Sequence, residues 1–248
     1  MAGHSKWKTI KRAKAATDSR RSSMFTKFIR EITMAAKLGG GDPEGNARLR
    51  TAVETARGRS MPKENIERAI KKGTGELEGV DYQEVTYEGY GPAGVAIIIN
   101  CVTDNPTRTV ADVRHKMSRG GGNLGTPNAV AWMFDRKGQL VIDATQYDED
   151  ATLEAALDAG AEDFRREEDV YLVTMEPSDF HSVKTGLEAK KIAFVEQEPL
   201  VMLPKNTIKV EGAEAEALLK LIESIEELDD VQKVWANFDI DVADMADA

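Results

Sequence analysis

The sequence predicts an α+β protein: a small N-terminal bundle of three helices, then two βαββαβ units, one inserted in the other. Three observations carry this. Apolar residues recur at helical spacing up to about residue 73 and in strand-length runs after residue 80. The elements expected between 139 and 198 fall in the order β-α-β-β-α-β, the split βαβ (ferredoxin-like) arrangement. Charge changes sign where the periodicity does. Residues 1–73 hold 18 Lys/Arg against 7 Asp/Glu, a net of +11, while the other 175 residues hold 15 against 36, a net of -21.

The first 23 residues read as a basic arm. Lys6, Lys8, Lys11, Arg12, Lys14, Arg20 and Arg21 face one acid, Asp18, and little apolar surface is available to offset the entropy of ordering. Helical spacing starts near Met24 with Phe28, Ile32, Ala35 and Ala36, and Gly39 is expected as the left-handed cap. A second helix is expected over 46–57 with Leu49, Val53 and Ala56 inward. A third runs over 62–72, capped by Ser60, with Ile66 and Ile70 inward. Residues 73–79 read as a linker.

Strands are expected at 85–87 and 95–102. Asn105-Pro106 then opens a helix to about 119, with Val110, Val113 and Met117 inward, and a strand follows at 129–134. Gly138 is expected to turn the chain into the inserted unit: strand 139–142, helix 148–159, strands 163–165 and 170–174, helix 177–190, strand 193–198. Strands 200–203 and 207–210, a helix over 213–227 and a strand over 231–235 return to the outer unit. The expected domains are therefore 1–78, 79–134 with 200–240, and 135–199, with a flexible acidic tail over 241–248.

Several function classes find no support in the residues. The single cysteine, Cys101, points to a reducing compartment, and no run approaches the ~18 apolar residues of a membrane span, so a cytoplasmic location without membrane attachment is expected. His4, His115 and His181 are scattered without metal-ligand spacing. No G-x-S-x-G, H-E-x-x-H or C-x-x-C occurs. The expectation is a non-enzymatic protein with no catalytic residues, no metal and no cofactor. Gly120-Gly121-Gly122-Asn123-Leu124-Gly125 matches G-x-G-x-x-G by letter, but a helix precedes it and a strand follows, the reverse of a dinucleotide site. It reads as a helix stop and turn. No heptad seam is present, and a monomer is expected.

The basic end is built to approach a polyanion. Lys and Arg neutralise phosphates and release counterions, so nucleic acid is the expected partner. The candidate contacts are His4, Lys6, Trp7, Lys8, Lys11, Arg12, Lys14, Arg20, Arg21, Lys27 and Arg30, with Trp7 able to stack on an unpaired base. The alternative is a solvated charge run with Trp7 packed on the first helix. Asp104, Asn105, Arg108, Arg114 and His115, at a strand-to-helix junction, form a candidate second contact; the alternative there is a plain N-cap. The acidic domains are a candidate surface for a protein partner.

Long blocks also resemble one known family. Gly3-His4-Ser5-Lys6-Trp7, the run from Phe25 to Ile32, the run from Ala35 to Pro43 and the run from Met61 to Ile70 are similar to the YebC family, as are Tyr87-Glu88-Gly89-Tyr90-Gly91-Pro92, Thr103-Asp104-Asn105, Arg108-Thr109, Gly121-Gly122-Asn123-Leu124-Gly125 and the run from Glu154 to Asp163. The chain departs from the family pattern at Pro106, at Arg119-Gly120 and at Pro127-Asn128-Ala129. The resemblance implies a three-domain, cleft-shaped, nucleic-acid-binding regulator of gene expression. Members have been described as DNA-binding transcriptional regulators, and others, including mitochondrial translational activators, as acting at the ribosome on difficult sequences such as proline runs. It favours ribosomal RNA as the partner, with DNA as the alternative.

Overall fold

A computed structural model describes residues 18–240, with side chains from Ser23 onward. Helix α1 (Asp18–Gly39) already runs from Asp18, inside the stretch expected as an arm. With α2 (Ala47–Gly58) and α3 (Lys63–Gly73) it encloses a core of Ile32, Ala35, Ala36, Leu49, Val53, Ala56, Met61, Ile66 and Ala69.

Two caps differ from expectation. Gly39 is still helical, and Gly40 takes the left-handed conformation at φ +86°. Asn46 explains the shift. Its side-chain amide donates to the Ala35 and Gly40 carbonyls, both at 2.8 Å, while its Oδ1 accepts from Leu49 N–H at 3.1 Å and caps α2. Ser60 does not cap α3. At φ +61° it is the left-handed residue that closes α2, with Met61 N–H donating to Ala56 O across it at 3.0 Å. The N-cap position of α3 is Pro62, without a side-chain bond.

Strands β1 (Gln83–Tyr90) and β2 (Ala96–Thr103), helix α4 (Pro106–Arg119) and strand β3 (Asn123–Leu124) follow. After β4 (Phe134–Asp143), α5 (Glu149–Asp158), β5 (Asp163–Glu167), β6 (Val170–Met175), α6 (Phe180–Ala189) and β7 (Glu196–Pro204), the chain returns through β8 (Ile208–Lys209), α7 (Gly212–Glu226), β9 (Val231–Ala236) and β10 (Phe238–Asp239).

The described residues divide into two compact units, one of residues up to Phe134 and from Pro204, the other Asp135–Leu203. In the first, a four-stranded sheet is ordered β3-β1-β2-β9 with antiparallel neighbours, and α4 and α7 bury Val113, Met117, Leu218, Leu221, Ile222 and Ile225 with Ile97, Ile99 and Val234 of the sheet. The strand positions are those of a βαββαβ sheet whose third strand, β1, comes from the N-terminal side. In the second unit the order β5-β6-β4-β7 is that of a split βαβ sheet, with α5 and α6 supplying Ala155, Ala156, Val183 and Leu187 to the core. The architecture is α+β, N-terminal helices followed by sheet domains, as expected.

Three element boundaries are corrected. Residues 129–134 do not form a separate strand: they make a loop and a 3-10 turn (Ala131–Met133) that leads into β4 at Phe134. The buried Glu88 carboxylate accepts the N–H groups of Asn128, Val130 and Ala131, each at 2.8 Å, so that backbone is not available to a ladder. Gly138 is inside β4 rather than at a turn; a Cβ there would lie 3.0 Å from Met175 Sδ and from a Phe180 ring carbon. Residues 193–195 of the strand expected at 193–198 lie outside any strand, and the remainder joins the segment expected at 200–203 in the one strand β7, which carries Pro199 at the edge of its sheet.

Candidate nucleic-acid interface

Of the candidate contacts in the N-terminal end, His4, Lys6, Trp7, Lys8, Lys11, Arg12 and Lys14 lie outside the described residues, and the side chains of Arg20 and Arg21 do too. Lys27 and Arg30 are described, and both turn inward. Lys27 Nζ donates to the Glu226 carbonyl at the end of α7. Arg30 is ion-paired with Asp230, reaches Val102 O at 3.4 Å, and lies over the Tyr82 ring at 5.7 Å. Their positive charge is spent on holding α1 against the sheet. Arg48 on α2 does the same, bonding Glu31 Oε1 at 2.7 Å and Glu84 Oε2 at 3.0 Å.

The cations left to solvent sit elsewhere on the bundle. Arg57 and Arg59 at the end of α2, and Arg68, Lys71 and Lys72 on α3, are exposed and make no ion pair with a described residue. Sequence reading counted these charges but did not single them out, because exposure depends on how the helices pack. Such cations can neutralise phosphate oxygens without base specificity.

Of the candidate second contact, Asp104, Asn105 and Arg108 are brought together near Asp230, a residue not singled out from the sequence. Asp230 lies in the turn before β9, and its carboxylate receives Arg30 from α1, Thr109 Oγ1 at 2.6 Å and Arg108 Nη2 at 3.1 Å from α4, with Thr103 Oγ1 at 3.2 Å. Its own carbonyl accepts Val102 N–H at 2.8 Å. Burial pushes the Asp230 carboxyl up, but the bonds from Thr109, Arg108 and Arg30 outweigh it and hold the pKa below the usual carboxylate value. Asp104 pairs with Arg108 at 2.7 Å, and that bond lowers its pKa. Asn105 caps α4, its Oδ1 accepting Arg108 N–H at 3.1 Å.

Beside this cluster lies a cavity of about 500 Å³ lined by Arg30, Tyr82, Asp104, Arg108, Thr109, Asp112, Glu227, Leu228, Asp229 and Asp230. Five carboxylates face two guanidinium groups, and both guanidinium groups are already paired. A phosphate would meet net negative charge there. Arg114 and His115 lie further along α4, exposed and outside the cavity lining. The Gly120–125 run opens with the helix stop and turn expected, with Gly121 at φ +79°, but its Asn123 and Leu124 form strand β3. No metal-ligating cluster occurs among the described residues, and no described helix is long and apolar enough to cross a membrane.

Fold and site together define a class: an α+β protein whose cation-bearing helical bundle is fastened by ion pairs to an acidic sheet domain. The chain belongs to the TACO1/YebC family, residues 5–76 matching its N-terminal domain and residues 82–238 its second and third domain. It is 64% identical over 248 residues to a probable transcriptional regulatory protein of Gemmatimonas aurantiaca, covering all of both chains. Another of the same description, from Acidithiobacillus ferrooxidans, is 57% identical over 246 residues, covering 99% of this chain and 98% of its own. The crystal structure of a conserved hypothetical protein from Aquifex aeolicus superposes with a TM-score of 0.83 at 45% identity, covering 90% of this chain and 92% of that one.

Proposed function

We propose that the chain is a non-enzymatic, cytoplasmic regulator of gene expression that binds nucleic acid through residues 1–78. On this reading its target is ribosomal RNA, and it supports translation of difficult sequences such as proline runs. The observation that carries it is the charge division, +11 over residues 1–73 and -21 over the rest. Lys6, Lys8, Lys11, Arg12, Lys14, Arg20 and Arg21 supply phosphate contacts, with His4 and Trp7 on bases or sugars. The exposed cations of α2 and α3 add to the positive charge of the same stretch of chain. Lys27 and Arg30, engaged by Glu226 and Asp230, orient the bundle instead of contacting phosphate. The acidic domains, residues 79–134 with 200–240 and the inserted 135–199, repel bulk nucleic acid and restrict binding to a shaped site, and they offer a surface to a protein partner.

The relatives described as probable transcriptional regulatory proteins favour a second reading, a transcriptional regulator on DNA. Gradient sedimentation of cell lysate at low and moderate salt separates the two. Wild type travelling with ribosomes, and a variant with Lys6, Lys8, Lys11 and Arg12 changed to alanine staying at the top, supports the translational reading. Both staying at the top while wild type retards promoter DNA supports the other.

A further inference from the structure

Helix α1 has two faces of different chemistry. Phe25, Phe28, Ile32, Ala35 and Ala36 turn into the helical bundle. Ser23, Lys27, Arg30, Met34 and Lys37, spaced by three and four, make a stripe on the other side. The sheet domain meets that stripe, in which Met34 is the one apolar member. Ser23 Oγ donates to Asp229 Oδ1 at 3.2 Å, Lys27 to the Glu226 carbonyl and Arg30 to Asp230. Lys37 is paired with Asp81 and donates to Tyr82 O at 2.9 Å, and Arg48 of α2 adds Glu84 of β1 at 3.0 Å. The described apolar cores of the bundle and the sheet share no residue, and the chain joining them, residues 74–81, is exposed throughout.

These contacts can part without stranding a buried charge. Asp230 keeps Arg108, Thr109 and Thr103 when Arg30 leaves. Arg30 Nε is buried and finds no acceptor among the described residues, so the docked guanidinium is one hydrogen bond short. Water or a phosphate oxygen would supply it. The outer pairs are held loosely: side-chain exposure is 39% for Lys37 and 77% for Asp81, 36% for Arg48 and 33% for Glu84. Ion pairs so exposed are weak and yield to salt.

We propose that this dock is autoinhibitory: Asp81, Asp229 and Asp230 occupy the polar stripe of α1 in place of phosphates, and a polyanion that takes the stripe releases the bundle from the sheet domain. Docked, Lys27 and Arg30 orient the bundle; undocked, they and Lys37 become phosphate contacts. The proposal rests on the reading of the chain as a nucleic-acid binder and adds the regulation of that site. The linker holds the acids at high local concentration, so a single anion competes poorly and only a strand presenting several phosphates at once displaces them.

The test uses the full chain carrying Ser23→Cys and Asp229→Cys in a Cys101→Ala background, closed by a short bis-methanethiosulfonate cross-linker that dithiothreitol removes. Fluorescein-labelled single-stranded RNA and duplex DNA are the probes, with binding read by anisotropy. The cross-linked chain is expected to bind its preferred probe about tenfold more weakly than the same sample after reduction. By linkage, saturating probe is expected to slow cross-linking. Lys37→Gln should weaken binding by the reduced chain and leave the cross-linked chain unchanged, whereas a mere change of net charge would act on both. Equal affinity before and after reduction overturns the regulation, even where loss of binding by the arm variant upholds the proposed function. A cysteine pair that does not cross-link overturns the dock itself. A wild type that binds neither probe removes both readings.

Discussion

The Arg30 guanidinium on α1 is ion-paired with the Asp230 carboxylate 200 residues further along the chain, with side-chain exposures of 12% and 9%. This pair, joined by Arg108 and Thr109 of α4, links the helical bundle to the sheet through one buried anion. A buried pair of this kind is weak evidence of net stabilisation, because both ions are desolvated; removing one partner is another matter, since the other charge is left uncompensated.

Asp230→Ala should therefore destabilise the first unit by about 3–5 kcal/mol, leaving Arg30 without its counter-ion. Arg30→Ala should cost less, because Asp230 keeps Arg108 and Thr109. Urea unfolding followed by the fluorescence of buried Trp235 on β9 reads this unit. Equal losses for the two variants would sink the asymmetry.

The same carboxylate sets an acid limit. Its folded pKa lies below the ordinary value of about 3.9, so on acidification the unfolded chain takes up the proton first. The stability it contributes is fully present above the unfolded pKa and disappears as pH falls through the folded one. Wild type and Asp230→Asn should differ by a constant amount at neutral pH, and the gap should close below about pH 4. A gap that persists at the lowest pH at which both remain folded would show that the difference is packing rather than charge.

How far these features were legible follows from how local their causes are. Helix α4 could be read directly, because Asn105 as cap and Pro106 at the first helical position act within one turn. The three-helix pattern was readable for the same reason, since Leu49, Val53 and Ala56 repeat on one face. Two strands are expected where the structure has β7, and they part at Pro199, which the edge position of β7 makes tolerable. Glu88 looks solvent-facing in a strand, yet it satisfies a loop 40 residues away. Asp230, half of an Asp229-Asp230 pair in an acidic chain, has no local signal at all; the topology that brings Arg30 and Arg108 to it creates the site.

Cys101 lies next to this cluster and is fully buried. Burial, and secondarily the negative charge of Asp230, push its thiol up to about 12, so the thiolate is scarce at neutral pH. A thiol reagent such as DTNB should react only as fast as the first unit opens, and rapidly in denaturant. Stoichiometric labelling within minutes in native buffer would contradict the buried placement. Asp230→Ala should raise the native labelling rate, chiefly by making opening easier.

The crossing of α1 and α3 depends on Gly73. A Cβ there would lie 2.4 Å from Thr33 O and 2.7 Å from Ala36 Cβ, the first a backbone atom that cannot step aside. Gly58, at the end of α2, has no atom within 4 Å of the corresponding position. Both are glycines in the last turn of a helix, so propensity favours alanine in each, by up to about 1 kcal/mol. Only at Gly73 does an overlap oppose it, at a cost of about 1–3 kcal/mol. Gly73→Ala should lower the unfolding midpoint of the first unit, while Gly58→Ala should leave it unchanged or raise it slightly. The opposite signs are the test: two equal shifts would mean that the helices are free to separate at Gly73, and the tight crossing that presents Arg68, Lys71 and Lys72 to solvent would have to be abandoned.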